Sequence, residues 1–202
     1  MTEMGGNWRH ICVDMQRMFA EKTPWQVDWA ERILPAVVRL SSACPERTVF
    51  TRFIPPLRAE DAIGMWRPYY NKWWMMTREK LAPALLGLVE PLAQFVPPAR
   101  IFDKAVYSPW HDRRLHRHLQ DEGVTTLAIS GGETDVCVLS TALGAIDLGY
   151  RVILVKDALC SGSDPTHDAT LTVIGHRFSV QADVMDHGEL LDRTEGGRRN
   201  LI

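Results

Sequence analysis

Three residues with different chemistry, Asp14, Lys104 and Cys137, come at or just after the ends of short apolar runs that are typical of β-strands. The carboxyl ends of parallel strands share one edge of a sheet, so an acid, an amine and a thiol are expected to meet there. In acyl transfer, a carboxylate takes the thiol proton and returns it to the leaving amine, while an ammonium stabilises negative charge. Backbone N–H groups beside the thiol can bind an oxyanion, an interaction worth roughly 3–4 kcal/mol per donor.

Each of these residues also has a purely structural interpretation. A cysteine on a helix of small residues is commonly a core residue, an aspartate after a strand can be a turn residue, and a lysine can be a solvated charge. Only the coincidence of all three at strand ends favours the catalytic interpretation of Asp14, Lys104 and Cys137.

The stretch Thr126–Asp164 positions the thiol. It contains an apolar run, a break at Gly131 and Gly132, a helical pattern from Thr134 that stops at Gly149, and a second apolar run directly afterwards. This order predicts a βαβ unit with two parallel strands. Cys137 falls in the first turn of the connecting helix, where the helix dipole and unpaired N–H groups favour a thiolate.

The remaining patterns predict a single α/β domain over residues 1–195, with a mobile tail over 196–202. The expected fold is a three-layer Rossmann-like fold with a central, mostly parallel six-stranded sheet flanked by helices. The predicted strands are Arg9–Asp14, Thr48–Ile54, Arg100–Asp103, Val124–Ser130, Arg151–Lys156 and Phe178–Asp183. The predicted helices outside the βαβ unit are Val27–Ser42, short pieces within Leu81–Phe95, His111–Glu122, Asp164–Arg177 with Asp164 as its N-cap, and Asp186–Leu191.

Composition indicates an ordinary globular chain that acts on a small molecule. The 202 residues are 46% hydrophobic and 24% charged, with a net charge of −2. This balance gives no basic excess for nucleic acid or for a membrane surface, and no run is apolar enough to span a bilayer. The four cysteines show no C-x-x-C spacing, so reduced thiols and a cytoplasmic location are expected.

Three motifs together resemble the isochorismatase-like cysteine hydrolases, which include N-carbamoylsarcosine amidohydrolase, nicotinamidase, ureidoacrylate and biuret hydrolases, and isochorismatase. The motifs are V-D-M-Q-R-M-F from Val13, D-K-A-V-Y-S-P-W around Lys104, and G-G-E-T-D-V-C-V-L-S-T-A around Cys137. The similarity extends from about Arg9 to Leu191. Each motif is weak alone, and the three together are specific.

The resemblance implies roles for individual residues. Asp14 would be the general acid and base, Lys104 its electrostatic partner and Cys137 the nucleophile. The backbone amides of Glu133 and Cys137 would form the oxyanion hole, and the Gly132–Glu133 peptide bond would be cis. Gln16 and Phe19 would support and line the pocket.

Other residues are candidates for the pocket because of their position. Arg52, at the end of the second predicted strand, could bind a substrate carboxylate, and a surface salt bridge is the alternative. Tyr107, Trp110 and the aromatic segment 66–74, including Trp66 and Tyr70, could form the pocket walls. The alternative for this segment is packing on the sheet or at a subunit interface.

Departures from the family pattern narrow the expected chemistry. The sequence after the second strand, TRFIPPLRAED, lacks the histidines with which nicotinamidases hold a metal, so neither a catalytic metal nor a cofactor is expected. His111, His116 and His118 are interpreted as part of a solvated helix face. Enzymes that cleave the isochorismate vinyl ether lack the nucleophilic cysteine, which favours cleavage of a C–N bond.

The sequence therefore predicts a metal-free cysteine amidohydrolase that acts through a thioester on a small carboxamide, ureido or N-carbamoyl compound. A homodimer or homotetramer is expected, because relatives commonly form them. Alternatives are a catalytically degenerate binding or scaffold protein, a vinyl-ether hydrolase, and a nucleotide-binding protein that uses Gly131 and Gly132. The support for nucleotide binding is weak because G-G-E-T lacks the third glycine of a dinucleotide fingerprint.

Overall fold

The computed structural model describes residues 7–199, and side chains up to residue 194. Its strands are β1 (Trp8–Val13), β2 (Thr48–Phe53), β3 (Arg100–Lys104), β4 (Thr126–Gly132), β5 (Arg151–Cys160) and β6 (Ala182–Met185). Its α-helices are α1 (Arg17–Ala20), α2 (Ala30–Ala43), α3 (Trp66–Lys72), α4 (Glu90–Ala93), α5 (Arg114–Asp121), α6 (Leu139–Asp147), α7 (Asp164–Arg177) and α8 (His187–Arg199). A π-helical turn, Thr134–Val138, precedes α6.

The six strands form one sheet in the order β3-β2-β1-β4-β5-β6, and every neighbouring pair is parallel. The predicted α/β fold is therefore confirmed, and the sheet is wholly rather than mostly parallel. The strand order reverses between β1 and β4. In such sheets a crevice opens beyond the carboxyl ends of the strands at the reversal.

Alternating side chains of the strands supply two separate cores. On one face, residues such as Cys12, Ala128 and Ile153 pack with α2 and α8. On the other face, residues such as Ile11 and Leu127 pack with α5, α6 and α7. A sheet buried on both faces requires near-continuous apolar strands, which is why these segments show little polar alternation.

A third cluster packs beside the carboxyl edge of the sheet. It joins Met18 of α1, Phe53 of β2, Tyr70 of α3 and Met76. The aromatic segment 66–74 is thus partly a small core of its own, built against the end of β2. Trp74 is an exception, because 55% of it is exposed.

Several predicted boundaries were wrong for local reasons. The last strand begins at Ala182 rather than Phe178, because Phe178 caps the carboxyl end of α7 and its carbonyl accepts hydrogen bonds from the amides of Gln181 and Ala182. The N-cap of α7 is Ser163, and Asp164 is the first helical residue.

The helix predicted from His111 begins at Arg114, whose amide donates to Asp112 Oδ1 over 3.0 Å, so this helix is α5. The terminal helix α8 continues to Arg199, past the predicted end at Leu191. Of the predicted tail 196–202, residues 200–202 lie outside the described residues.

None of the helices within the described part of the chain has both the length and the apolar character needed to cross a membrane.

Candidate active site

Asp14 directly follows β1, which ends at Val13. Its φ of 51° turns the chain sharply out of the strand, and its amide donates to the Thr51 carbonyl of β2 over 3.2 Å. The Thr51 hydroxyl donates to Asp14 Oδ1 over 2.7 Å. Only 3% of Asp14 is exposed. The carboxylate is therefore held in one orientation, with Oδ2 available to a second partner.

Lys104, the last residue of β3, is that second partner. Its Nζ lies 2.6 Å from Asp14 Oδ2 and 3.5 Å from Cys137 Sγ. The ammonium also lies 5.1 Å from the centre of the Phe53 ring. Burial lowers the pKa of Lys104, but the charges and hydrogen bonds of Asp14 and Cys137 outweigh it and raise the pKa above its ordinary value. The side chain is thus a permanent cation between an acid and a thiol.

Cys137 lies in the π-helical turn after β4, at the start of the segment that leads into α6. Burial and the charge of Asp14 raise the pKa of this thiol, and Lys104 only partly opposes them. These influences favour the protonated thiol over the thiolate. Burial and the neighbouring acid therefore act against the helix dipole, which favours a thiolate.

The turn that precedes the thiol contains a cis peptide bond and two internal hydrogen bonds. The Gly132–Glu133 peptide bond is cis, as the family resemblance implied. The Glu133 carbonyl accepts hydrogen bonds from the amides of Val136 and Val138 over 3.1 and 3.0 Å. Glu133 and Cys137 therefore belong to the same hydrogen-bonded turn. This is where the sequence predicted an oxyanion hole.

Side chains from the segment after β5 hold this turn in place. Asp135 accepts hydrogen bonds from the hydroxyls of Ser161 and Thr166, each over 2.5 Å. The Thr134 hydroxyl donates to the Cys160 carbonyl over 3.0 Å and lies 2.9 Å from His167 Nδ1. This hydrogen-bond network was not predicted from the sequence. The signal was the density of hydroxyl and acidic residues after β5, in the sequence SGSDPTHD.

A cavity of about 360 Å³ opens onto Cys137. This volume lies within the usual range for small-ligand pockets. Six aromatic side chains line it, together with Glu133 and Val136. They are Phe19, Trp25, Phe53, Tyr69, Trp73 and Tyr107.

Phe19 and Tyr107 were predicted to line the pocket, and the structure places both there. Tyr69 and Trp73 belong to the aromatic segment 66–74, which was predicted to form the pocket walls, whereas Trp25 was not singled out. Trp25 lies in the middle of the aromatic group, with ring centroids 5.9–6.4 Å from those of Phe53, Tyr69 and Trp73. Its only sequence signal was the bulky T-P-W segment between α1 and α2.

Two predicted pocket residues face a different cleft. Trp66 and Tyr70 line an opening of about 510 Å³ that also contacts Lys104 and Asp103. Trp66 packs against Tyr107 with a centroid distance of 4.7 Å, so these rings lie in the wall between the two openings. Trp66 and Tyr70 therefore support the cavity from behind rather than line it.

Gln16 supports the cavity without lining it. It is fully buried, its amide nitrogen donates to the Phe53 carbonyl over 3.1 Å, and its amide oxygen accepts from the Phe53 amide over 2.6 Å. Gln16 therefore fixes the end of β2 against the chain that leaves β1, which is the supporting part of its predicted role.

Two other predicted residues do not reach the cavity. Arg52 forms a bidentate salt bridge with Asp103 at 2.7 and 2.9 Å, which was the alternative left open by the sequence. Trp110 is buried against Gly144 and donates to the Thr141 carbonyl over 2.9 Å, so it is a core residue. Both predictions failed because position along the chain alone does not determine which way a side chain turns.

The histidines of the 111–118 segment have different environments. His111 precedes α5 and lines the larger cleft, whereas His116 Nδ1 lies 2.9 Å from the Tyr150 hydroxyl. His118 stacks on Phe102. Within the described part of the chain, no group of three or more His, Cys, Asp or Glu residues is arranged to hold a metal ion.

Comparisons with known proteins match most of the chain to the family that the three sequence motifs resemble. A family model described as an isochorismatase domain matches residues 10–187. A relative from Arabidopsis thaliana, named a probable inactive nicotinamidase, is 27% identical over 180 residues, which is 83% of this chain and 89% of that protein.

Solved structures show the same fold. A cysteine hydrolase from Pseudomonas syringae pv. phaseolicola 1448A superposes with a TM-score of 0.81 at 24% identity, over 94% of this chain and 93% of that chain. N-carbamoylsarcosine amidase from Thermoplasma acidophilum superposes with a TM-score of 0.72 at 17% identity, over 90% of this chain and 96% of that chain. Because the family model covers all six strands apart from the first residues of β1, this protein belongs to the isochorismatase family of hydrolases.

Proposed function

We propose that this protein is a metal-free cysteine amidohydrolase that cleaves a C–N bond of a small carboxamide, ureido or N-carbamoyl compound. The observation that carries the proposal is the position of the Lys104 ammonium, 2.6 Å from the Asp14 carboxylate and 3.5 Å from the Cys137 sulfur, where Cys137 lines an aromatic cavity. An acid, a fixed cation and a thiol in contact are the groups that acyl transfer requires.

In the first half of the reaction, Asp14 takes the proton from Cys137 as sulfur attacks the substrate carbonyl. A C–S bond forms, and the carbonyl oxygen becomes an oxyanion that the amides of Glu133 and Cys137 stabilise. The C–N bond then breaks, and the leaving amine or ammonia takes the proton from Asp14. Lys104 stabilises the thiolate while it exists and remains charged throughout.

In the second half, water hydrolyses the thioester. Asp14 accepts a proton from water as oxygen attacks the carbonyl, and it returns that proton to sulfur as the C–S bond breaks. The products are the acid and the regenerated thiol. The raised pKa of Cys137 fits this cycle, because the thiol is protonated before substrate binds and its proton is then available for the leaving group.

The neighbours of this chain support amide-type chemistry without identifying the substrate. One structural neighbour is named an N-carbamoylsarcosine amidase, and one relative is named a probable inactive nicotinamidase. A degenerate scaffold protein is therefore the main alternative. The intact contacts among Asp14, Lys104 and Cys137 favour the enzyme.

The deciding experiment measures ammonia or amine release from a panel of carboxamides, ureides and N-carbamoyl amino acids. We expect release by the wild-type protein and a loss of at least about 10³-fold in Cys137→Ala, because the nucleophile is removed. Cys44→Ala is the matched control. Cys44 is also buried but lies before the amino end of β2, away from the site, and this variant should keep its activity.

Three results would contradict the proposal. Release that survives Cys137→Ala would exclude the thiol as nucleophile. No release from any amide, with iodoacetamide labelling of Cys137 as slow as that of Cys44, would favour the scaffold. Activity that disappears after exhaustive chelation, and returns with a divalent metal, would exclude the metal-free assignment.

A further inference from the structure

The side chains around the 360 Å³ cavity have an uneven charge distribution. Among the described residues that line it, Glu133 is the only one that is ordinarily ionised near neutral pH, and none has a cationic side chain. Lys104 is the nearest buried cation, and its charge is offset by Asp14 at 2.6 Å. The groups that face a bound molecule therefore have a net negative charge.

Glu133 contributes to the field inside the cavity. One carboxylate oxygen, Oε1, accepts a hydrogen bond from the Gly162 amide over 3.2 Å, which fixes the side chain. Burial is the largest cause of the raised pKa of both Tyr69 and Tyr107, and the negative charge of Glu133 is one of the smaller causes for each. Both tyrosines line the same cavity, so a bound ligand would experience the same charge.

The arginines near the site are held elsewhere by other partners. Arg52 is paired with Asp103. Arg114 donates to Asp112 and to the Asp103 carbonyl. These contacts fix both guanidinium groups outside the cavity. A substrate carboxylate in the cavity would lose its hydration beside Glu133, and none of the described lining residues offers it a cationic side chain, which is unfavourable.

The aromatic rings of the cavity would attract a cationic ligand. The face of an aromatic ring is electronegative and attracts cations within about 6 Å of its centroid. Two rings of this cavity already have an ammonium at that distance: Lys104 lies 5.1 Å from Phe53, and the exposed Lys72 lies 5.1 Å from Trp73. Trp25, Tyr69 and Tyr107 add further rings around the same space.

We infer that the cavity selects amides whose remote end is an ammonium group, preferably a methylated one, and rejects amides that carry a carboxylate. This inference rests on the proposed function, since it describes the substrate of the same site. Methylated ammonium groups suit such a cavity because they are large, apolar at their surface and weakly hydrated, so they lose little on leaving water. Glu133 then supplies the counter-charge.

The test uses three amides with the same three-carbon spacer, which are 4-(trimethylammonio)butanamide, its uncharged isostere 5,5-dimethylhexanamide, and glutaramate. Each is measured as a substrate by ammonia release and as a ligand by protection of Cys137 from iodoacetamide. We expect the cation to bind about tenfold more tightly than the isostere, as cation–π contacts and a counter-charge allow. Glutaramate should protect least.

Single substitutions test whether Glu133 and Trp73 are the source of this selectivity. Glu133→Gln keeps an oxygen for the Gly162 amide but removes the charge, and it should reduce the ratio of cation to isostere affinity severalfold. Trp73→Leu removes one ring and should also reduce that ratio. Trp74→Leu is the matched control, because Trp74 is the adjacent tryptophan, is 55% exposed and does not line the cavity. It should leave the ratio unchanged.

The inference is overturned if the isostere or glutaramate binds as tightly as the cation, or if neither Glu133→Gln nor Trp73→Leu changes the ratio. The protection assay needs no turnover, so the two proposals can fail separately. If the cation protects best but no amide is hydrolysed, the selectivity stands and the hydrolase proposal falls. If neutral or anionic amides are hydrolysed faster in a Cys137-dependent way, the hydrolase stands and the selectivity falls.

Discussion

At the scale of single residues, Lys104 and Arg52 show how differently two ion pairs can behave. Lys104 and Asp14 are both almost fully buried, with side-chain exposures of 5% and 2%. Arg52 and Asp103 are a better-shaped bidentate pair, but their side chains are 27% and 42% exposed. Burial makes the loss of one partner costly, because the other charge remains without solvent.

We therefore expect Lys104→Met to lower the free energy of unfolding by about 3–5 kcal/mol and to abolish hydrolysis, since Asp14 would be left as a buried, unpaired acid. Arg52→Met should lower the free energy of unfolding by about 1 kcal/mol or less. Urea denaturation of both variants measures the difference. Equal losses of stability would show that the Lys104–Asp14 pair is not isolated from solvent.

The rate at which iodoacetamide labels the Cys137 thiol should depend strongly on pH. Burial and Asp14 raise its pKa, so the thiolate fraction is small at neutral pH and grows as the pH rises toward that pKa. Because the thiolate is the reactive form, the rate of iodoacetamide labelling of Cys137 should increase by about tenfold per pH unit and show no plateau up to about pH 8.5.

Mass spectrometry after timed labelling would measure this profile, with Cys137→Ala identifying the modified site. A plateau below about pH 7 would mean a depressed pKa and a pre-formed thiolate. In that case Asp14 would not be needed to accept the proton before attack.

At the scale of elements, the end of β4 is the feature on which the site geometry depends. Gly131 pairs with Val13 of β1 and has a φ of 99°. A β-carbon at this position would lie 2.1 Å from the Val13 carbonyl oxygen. The strand that leads to Glu133 and the strand that leads to Asp14 can approach this closely only because residue 131 has no side chain.

Gly131→Ala should therefore lower the free energy of unfolding by about 2–5 kcal/mol, through backbone strain and displacement of β1. Gly123→Ala is the control. Gly123 also has a positive φ, of 66°, but an added β-carbon there meets no atom within 4 Å. It should cost only about 1–2 kcal/mol of conformational strain. Denaturant titration measures both, and similar losses would show that β1 accommodates the added methyl group.

At the scale of the whole molecule, the site lies where the strand order reverses between β1 and β4. Strands β2 and β3 lie on one side of β1, and β4, β5 and β6 lie on the other, so residues that are far apart in the chain meet at one edge. The cavity wall extends this arrangement. It combines Trp25 from the chain between α1 and α2, Tyr69 and Trp73 from the segment around α3, and Tyr107 from the chain after β3.

The outer surface carries several exposed apolar side chains near this wall, including Ile63, Met65 and Trp74, which are 74%, 81% and 55% exposed. Such residues are typical of surfaces that pack against another protein copy. The expected homodimer or homotetramer stays a prediction, as does the cytoplasmic location.

The sequence by itself determined the fold class and which three polar side chains meet at the carboxyl edge of the sheet. Apolar runs and helix signals are local, so α7 was predicted with its observed bounds and each of the six strands was found within a few residues. Asp14, Lys104 and Cys137 could be singled out because parallel strands all end at one edge. Their proximity follows from topology rather than from the details of packing.

Only the tertiary structure decided what surrounds those three residues. Arg52 turned to Asp103, and Trp110 turned into the core beside Gly144. Side-chain direction depends on contacts between distant segments, and no local pattern records it. The raised pKa of Cys137 was decided in the same way, because burial and a neighbouring charge are properties of the folded surroundings and not of the helix in which the thiol lies.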